Sequence, residues 1–155
     1  FLVIGFSVFL YLYKQKNKQP ELPENQENEQ EITSEKLSDN VNVILEKLAV
    51  FEENKGFLQD DLTLDDLARK IRSNRTDVSK VISEYKGGFN AYIYKLRIDF
   101  IVECLENDPV LRIQNIETIA LKAGFKNRKT FTNAFKNQKN VAFSEYLEKL
   151  RSDKS

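Results

Sequence analysis

The chain has 155 residues, and its 24 Lys and Arg balance 24 Asp and Glu for a net charge of zero. That length suits one domain with a core plus further segments. No histidine and a single cysteine, Cys104, exclude an imidazole base, a Ser-His-Asp triad, a His-ligated or Cys-based metal site and an internal disulfide. With 3 prolines, 5 glycines and frequent i, i+3, i+4 apolar spacing, the expected fold class is all-α. Cys104, between Val102 and Leu105, reads as a small core residue.

Residues 1–13, FLVIGFSVFLYLY, carry no charge and are followed at once by KQKNK. A spanning helix needs about 20 apolar residues. With no methionine in the sequence, the chain is read as a fragment or processed product, and the run as the C-terminal part of a transmembrane helix. Tyr11 and Tyr13 stand where interfacial aromatics belong, and Lys14, Lys16 and Lys18 form a positive-inside flank. These signs place the remainder in the cytoplasm, tethered to the inner membrane by a single pass. A signal-peptide core or a buried helix are the other readings of the run, although no small-residue cleavage site follows it.

Residues 14–38 are expected to be a basic flank and an acidic flexible linker, because residues 19–40 hold seven acids, one lysine and two prolines. The folded domain is expected over 39–155. Beyond residue 39 there remain 20 basic and 17 acidic residues, a charge of +3 concentrated near the end.

Seven helices are predicted there. The first, about 39–54, aligns Val41, Ile44, Leu45, Leu48 and Phe51 on one stripe, with Gly56 beyond its end. The second, about 64–71, follows Thr63 as N-cap and opens on Asp65-Asp66, where acids favour the helix macrodipole rather than paired-carboxylate chemistry. The third, about 75–86 and capped by Asn74, buries Val78, Val81, Ile82 and Tyr85 before Gly87-Gly88. A long fourth helix, about 89–107, buries Phe89, Tyr92, Ile93, Leu96, Phe100 and Cys104, with Arg97 and Asp99 in surface or inter-helix ion pairs. Asn107-Asp108-Pro109 stops it. Helices at about 116–123, 127–138 and 143–150 complete the set.

Helix, short turn, helix thus occurs twice, over about 64–86 and 116–138. Each first helix sets an alanine among apolar residues, Leu67-Ala68-Ile71 and Ile119-Ala120-Ala123, as a close helix crossing requires. Gly124 takes the second turn, where a positive φ is expected, and Phe125 closes the core. These are marks of a helix-turn-helix, whose second helix enters the DNA major groove. From Lys122 to Lys139 there are six Lys or Arg and no acid. Phe131, Ala134, Phe135 and Gln138 form the inward stripe there. Arg128, Lys129, Thr132, Asn133 and Lys136 form the outward face, with side chains suited to base edges and phosphates. In the first unit the outward set is Arg75, Thr76, Ser79 and Lys80. The long helix between them, roughly 28 Å at about 1.5 Å per residue, suits a rigid spacer between major-groove segments about 34 Å apart.

The motifs LTLDDLARKI, VSKVISEYKGGFNAYIYKLRIDFIVECLEND and IETIALKAGFKNRKTFTNAFKNQKNVAFSEYLEKLR resemble the DNA-binding domain of AraC/XylS-family transcription regulators over residues from about 41 to 151. The resemblance implies seven helices and two helix-turn-helix units, with recognition helices at Arg75–Lys86 and Asn127–Gln138. It places base-facing positions at Thr76, Ser79, Lys80, Arg128, Lys129, Thr132 and Asn133. Double-stranded DNA is the implied partner, with a homodimer and an RNA polymerase contact as further partner expectations. A membrane span ahead of such a domain resembles a membrane-anchored subgroup with a sensor before the span. Departures from the family pattern are Arg72 and Ser73 in the first turn, Asp77 early in the third helix, and Asn140 and Ala142 before the last helix. The first three point to a first reader that binds DNA more weakly, or docks differently, than the second, and the last two loosen the cap before the last helix.

No nucleophile-base pair, phosphate loop or metal set is present, so neither an enzyme nor a cofactor is expected. The competing reading is a helical protein-interaction module that keeps the fold without binding DNA. Asp77 and the neutral total charge favour it, and the cation cluster opposes it.

Overall fold

Apolar spacing and caps produce helices throughout the residues described by this computed structural model, 24–152 for the backbone and 39–152 for side chains. Helix α1 spans Glu24–Glu53 and a 3-10 turn follows at Gly56–Leu58. Then come α2 Leu64–Lys70, α3 Arg75–Lys86, α4 Phe89–Asn107, α5 Pro109–Arg112, α6 Ile116–Lys122, α7 Arg128–Lys139 and α8 Phe143–Ser152. Val41–Ser155 is a compact unit of its own. The apolar run at 1–13 and its flank lie outside the described residues. Among the described residues no helix is long and apolar enough to cross a membrane.

Three boundaries differ from expectation. Helix α1 begins at Glu24 instead of about 39, so residues 24–38, read as linker, are helical. Glu and Gln are good helix formers, and both prolines of the segment, Pro20 and Pro23, precede the start. The 3-10 turn is additional, entered through Lys55 in the left-handed region. So is α5, which makes eight α-helices among the described residues where seven are predicted. Asp108-Pro109 is both stop and start. Asp108 ends α4, and its carboxylate accepts from Val110 N at 2.9 Å and Leu111 N at 3.1 Å with proline in the first turn.

Two cores form, and α4 serves both. The first gathers Ile44, Leu48 and Phe51 of α1, Phe57, Leu62, Leu67, Ala68, Ile71, Val78, Val81 and Ile82 around Tyr92 and Ile93. The second gathers Leu111, Ile119, Ala120, Ala123, Phe125, Phe131, Ala134, Phe135, Phe143 and Leu147 around Ile98, Ile101 and Leu105. The single stripe predicted for this helix therefore holds only for its first half. Phe89, Leu96 and Phe100 pack against the first core, whereas Ile98, Ile101 and Leu105 emerge on another side. Cys104 is half-buried beside the second core, and burial pushes its thiol pKa up. Tyr85, predicted inward, is 52% exposed. It stands in the last turn of α3.

Arg97 occupies the boundary between the cores. Instead of a surface ion pair it is buried, with Nε donating to the Phe57 carbonyl at 2.7 Å and Nη2 to the Gln59 carbonyl at 2.8 Å. Its guanidinium also lies over the Phe125 ring, 5.4 Å from the centroid. Arg112 is buried likewise, donating to the Leu105 and Glu106 carbonyls at the end of α4. Charged side chains thus satisfy main-chain oxygens that no helix ladder reaches.

Asp99 forms the inter-helix pair the sequence suggests. It faces Lys95 at 2.6 Å and Lys139 of α7 at 3.1 Å, and it accepts from Gln138 Nε2 at 2.8 Å. Burial pushes its carboxyl pKa up, and the two lysines more than offset this, leaving it below the ordinary value. The stabilisation is therefore present above the unfolded carboxylate value of about 4 and disappears as pH falls through the lower folded value. The urea midpoint of the wild type is expected to fall more than that of Asp99→Asn between pH 6 and pH 3. The difference will be small, because the pair is largely solvated.

Candidate nucleic-acid interface

Both helix-turn-helix units are built by one set of local rules. In the first, Thr63 accepts from Asp66 N at 3.1 Å while Asp66 takes the Thr63 amide at 3.0 Å, a capping box that starts α2. Those bonds from Thr63 hold the Asp66 carboxyl below its usual pKa range. In the second, Asn115 accepts from Thr118 N at 2.8 Å to start α6. Each turn closes the same way, with Ser73 N on the Ala68 carbonyl at 3.0 Å and Phe125 N on the Ala120 carbonyl at 2.9 Å. The small Ala68 and Ala120 are buried at these crossings, as expected.

The residue at the apex must be left-handed in both turns. Gly124 has φ 80° and Arg72 has φ 50°. A Cβ on Gly124 would also lie 3.0 Å from the Leu58 carbonyl oxygen and 3.1 Å from Arg97 Nε. In the first unit a side chain is tolerated but strained, and Lys47 Nζ supports the turn by donating to the Arg72 carbonyl at 3.0 Å and Ser73 Oγ at 3.1 Å. Arg72→Gly is expected to stabilise the domain by about 1 kcal/mol, seen as a higher urea midpoint at unchanged slope.

Both α3 and α7 open on an asparagine cap followed by arginine. Asn74 accepts from Thr76 N at 2.7 Å and Asn127 from Thr130 N at 2.9 Å, so Arg75 and Arg128 are first residues of α3 and α7. Asn127, predicted inside the helix, is therefore its cap. Phe131, Ala134 and Phe135 are buried, and Gln138 is half-buried against Asp99. The outward set of α7 is open: Arg128, Lys129, Asn133 and Lys136 are exposed and Thr132 half-exposed. Among the described residues Lys129 and Lys136 have no ion-pair partner, whereas Arg128 meets Glu117 of α6 at 3.4 Å. The Thr132 hydroxyl donates back to the Lys129 carbonyl at 3.2 Å, which turns its methyl into a free contact group.

On α3, Arg75, Thr76 and Lys80 are exposed and Ser79 half-buried. Arg75 pairs with Asp65 of α2 at 2.8 Å. Asp77 stands half-buried in the first turn, so this face presents an acid that α7 lacks.

A notch of about 290 Å³ joins Arg128, Thr132, Asn133 and Lys136 to Ala142 and Ser144 at the start of α8. Neither of the last two was expected as a site residue from sequence. The signal for them is the chain reversal at Asn140, a left-handed C-cap with φ 56° that swings α8 against α7. A separate cavity of about 650 Å³ between α1 and the first turn includes no residue of α3 or α7.

The two units are fixed to each other through the segment before α2. Gly124 abuts Leu58, Arg97 holds Phe57 and Gln59 while stacking on Phe125, and Lys126 pairs with Asp61.

Several solved structures are similar in fold. A transcriptional regulator from Chromobacterium violaceum, described among AraC-type DNA-binding domain-containing proteins, matches with TM-score 0.54 and 20% identity over 72% of this chain and 90% of that one. This is the AraC-type DNA-binding fold. The DNA-binding domain of the global transcriptional factor AdpA, solved with a target DNA, matches with TM-score 0.57 and 16% identity over 72% of this chain and 95% of that one. ToxT from Vibrio cholerae matches with TM-score 0.56 and 25% identity over 69% of this chain, which spans 39% of ToxT. No family model and no curated protein matches the sequence. This domain thus has the AraC-type fold at low identity to those structures.

Proposed function

We propose that the chain is a membrane-tethered, sequence-specific DNA-binding transcription regulator that reads two major-groove segments with α3 and α7. The observation that carries this is the outer face of α7, where Arg128, Lys129 and Lys136 stand exposed with Asn133 and the Thr132 methyl and no acid on the helix. Arginine and lysine attract phosphate and donate to guanine, asparagine pairs with adenine, and a methyl group meets thymine. The DNA seen on AdpA supports double-stranded DNA as the partner. Arg75, Thr76, Ser79 and Lys80 of α3 form the second reader, weakened by Asp77.

The tether is residues 1–13 with their lysine flank, which keeps the domain on the cytoplasmic side of the inner membrane. The full-length protein is expected in the carbonate-washed membrane fraction, and residues 19–155 in the supernatant.

Residues 38–155, which contain both cores, provide the binding test. A selection from random duplexes should yield an enriched motif that Arg128→Ala/Lys129→Ala loses. Each direct base contact is worth about 1–3 kcal/mol at its base pair. Unchanged affinity and preference in that variant would reject α7 as the reader. No binding at low salt by the folded domain would favour the second reading, a helical interaction module, for which Asp77 is the supporting observation.

A further inference from the structure

The two units carry the same ion pair. Asp65 on α2 meets Arg75 Nε at 2.8 Å, and Glu117 on α6 meets Arg128 Nη1 at 3.4 Å. Each acid is the second residue of its unit's first helix, and each arginine is the first residue of the helix after the turn. Neither acid caps its own helix, because Thr63 with Asp66 and Asn115 do so. Favourable interaction with a helix N-terminus explains an acid in that turn, but not its alignment with the arginine in both units. The side chains are 60% and 62% exposed in the first pair and 58% and 57% in the second. Exposed pairs contribute little to folding. Their recurrence therefore concerns the arginines.

We propose that Asp65 and Glu117 are positioning residues that set the sequence preference of Arg75 and Arg128. This rests on reading α3 and α7 as DNA-reading helices. An unrestrained guanidinium at a groove edge satisfies its donors on whichever phosphate is near, which holds any sequence equally. Guanine recognition requires two parallel donors presented at one angle to O6 and N7. A carboxylate that holds one N–H restrains the side chain and leaves a bidentate edge open, since guanidinium has five donors. With Nε held on Arg75, the Nη1/Nη2 end remains. With Nη1 held on Arg128, the Nε/Nη2 side remains. The acid also repels phosphate, so it disfavours the contact that carries no sequence information.

A double-mutant cycle on residues 38–155 tests this. Wild type, Glu117→Gln, Arg128→Ala and the double variant are titrated, at one salt concentration, against the duplex enriched by the wild type and against a mixed-sequence duplex. Unfolding midpoints confirm that all four are folded. Glu117→Gln is expected to tighten binding to the mixed duplex and to lower the target-to-mixed affinity ratio by about threefold or more. In the Arg128→Ala background the same change should leave that ratio unmoved. The parallel cycle of Asp65→Asn with Arg75→Ala should behave alike. If Glu117→Gln shifts both duplexes by one factor whether or not Arg128 is present, the acid acts only as a charge and the positioning role is overturned. Failure of the wild type to bind either duplex overturns the DNA-reading proposal itself, and the positioning role with it.

Discussion

Phe131→Ala is expected to lower the unfolding free energy of the domain by about 3–5 kcal/mol. Phe131 is fully buried at the centre of the second core. Its ring lies 5.5 Å from Phe125, 6.2 Å from Phe135 and 4.6 Å from Phe143, centroid to centroid. Those neighbours belong to the turn, to α7 itself and to α8, so collapse around the missing ring would have to move three elements together. Against a total stability of about 5–15 kcal/mol, the loss removes a large share. Urea unfolding followed by helical circular dichroism checks it, and Phe131→Leu, which retains much of the volume, should lose far less. A loss under about 1 kcal/mol for the alanine variant would mean that this core is not packed as described.

Arg97→Ala is expected to cost about 3–4 kcal/mol, from two charge-assisted bonds at about 1.5–3 kcal/mol each, one of them partly solvated. The Phe57 and Gln59 carbonyls would be stranded and the stack on Phe125 lost. Arg97→Lys should not restore stability, because an ammonium lacks the planar fork and cannot stack as guanidinium does. Equal stability of Arg97→Ala and wild type in urea would contradict the buried assignment.

Much of this fold is legible in the sequence, because the features that specify it are local. Ala68 and Ala120 announce close crossings, Gly124 announces a left-handed turn, and Thr63 and Asn74 announce helix starts, each through the chemistry of one residue. Arg97 is not legible in this way. Periodicity assumes that one helix has one buried face, but α4 changes face along its length, and a charged residue at the change reads as surface. Tyr85 is misread too: it continues the regular stripe of Val78, Val81 and Ile82, yet it is exposed in the last turn of α3. The outward residues of α3 and α7 follow from the same periodicity, whereas the link from Glu117 to Arg128 crosses a turn and requires coordinates.

The junction at Arg97, Gly124 and the Lys126–Asp61 pair bears on DNA as a twisted object. On the proposed reading of DNA by α3 and α7, two readers held in one body demand a fixed torsional phase between the two segments they enter. One added base pair between those segments rotates the second by about 35° and shifts it by about 3.4 Å. A domain that flexed at this junction would absorb the change. One that does not must either twist the duplex, at an energy that depends on the intervening bases, or leave α3 disengaged. On that proposal, the bases between the two segments, touched by neither helix, become part of the sequence preference.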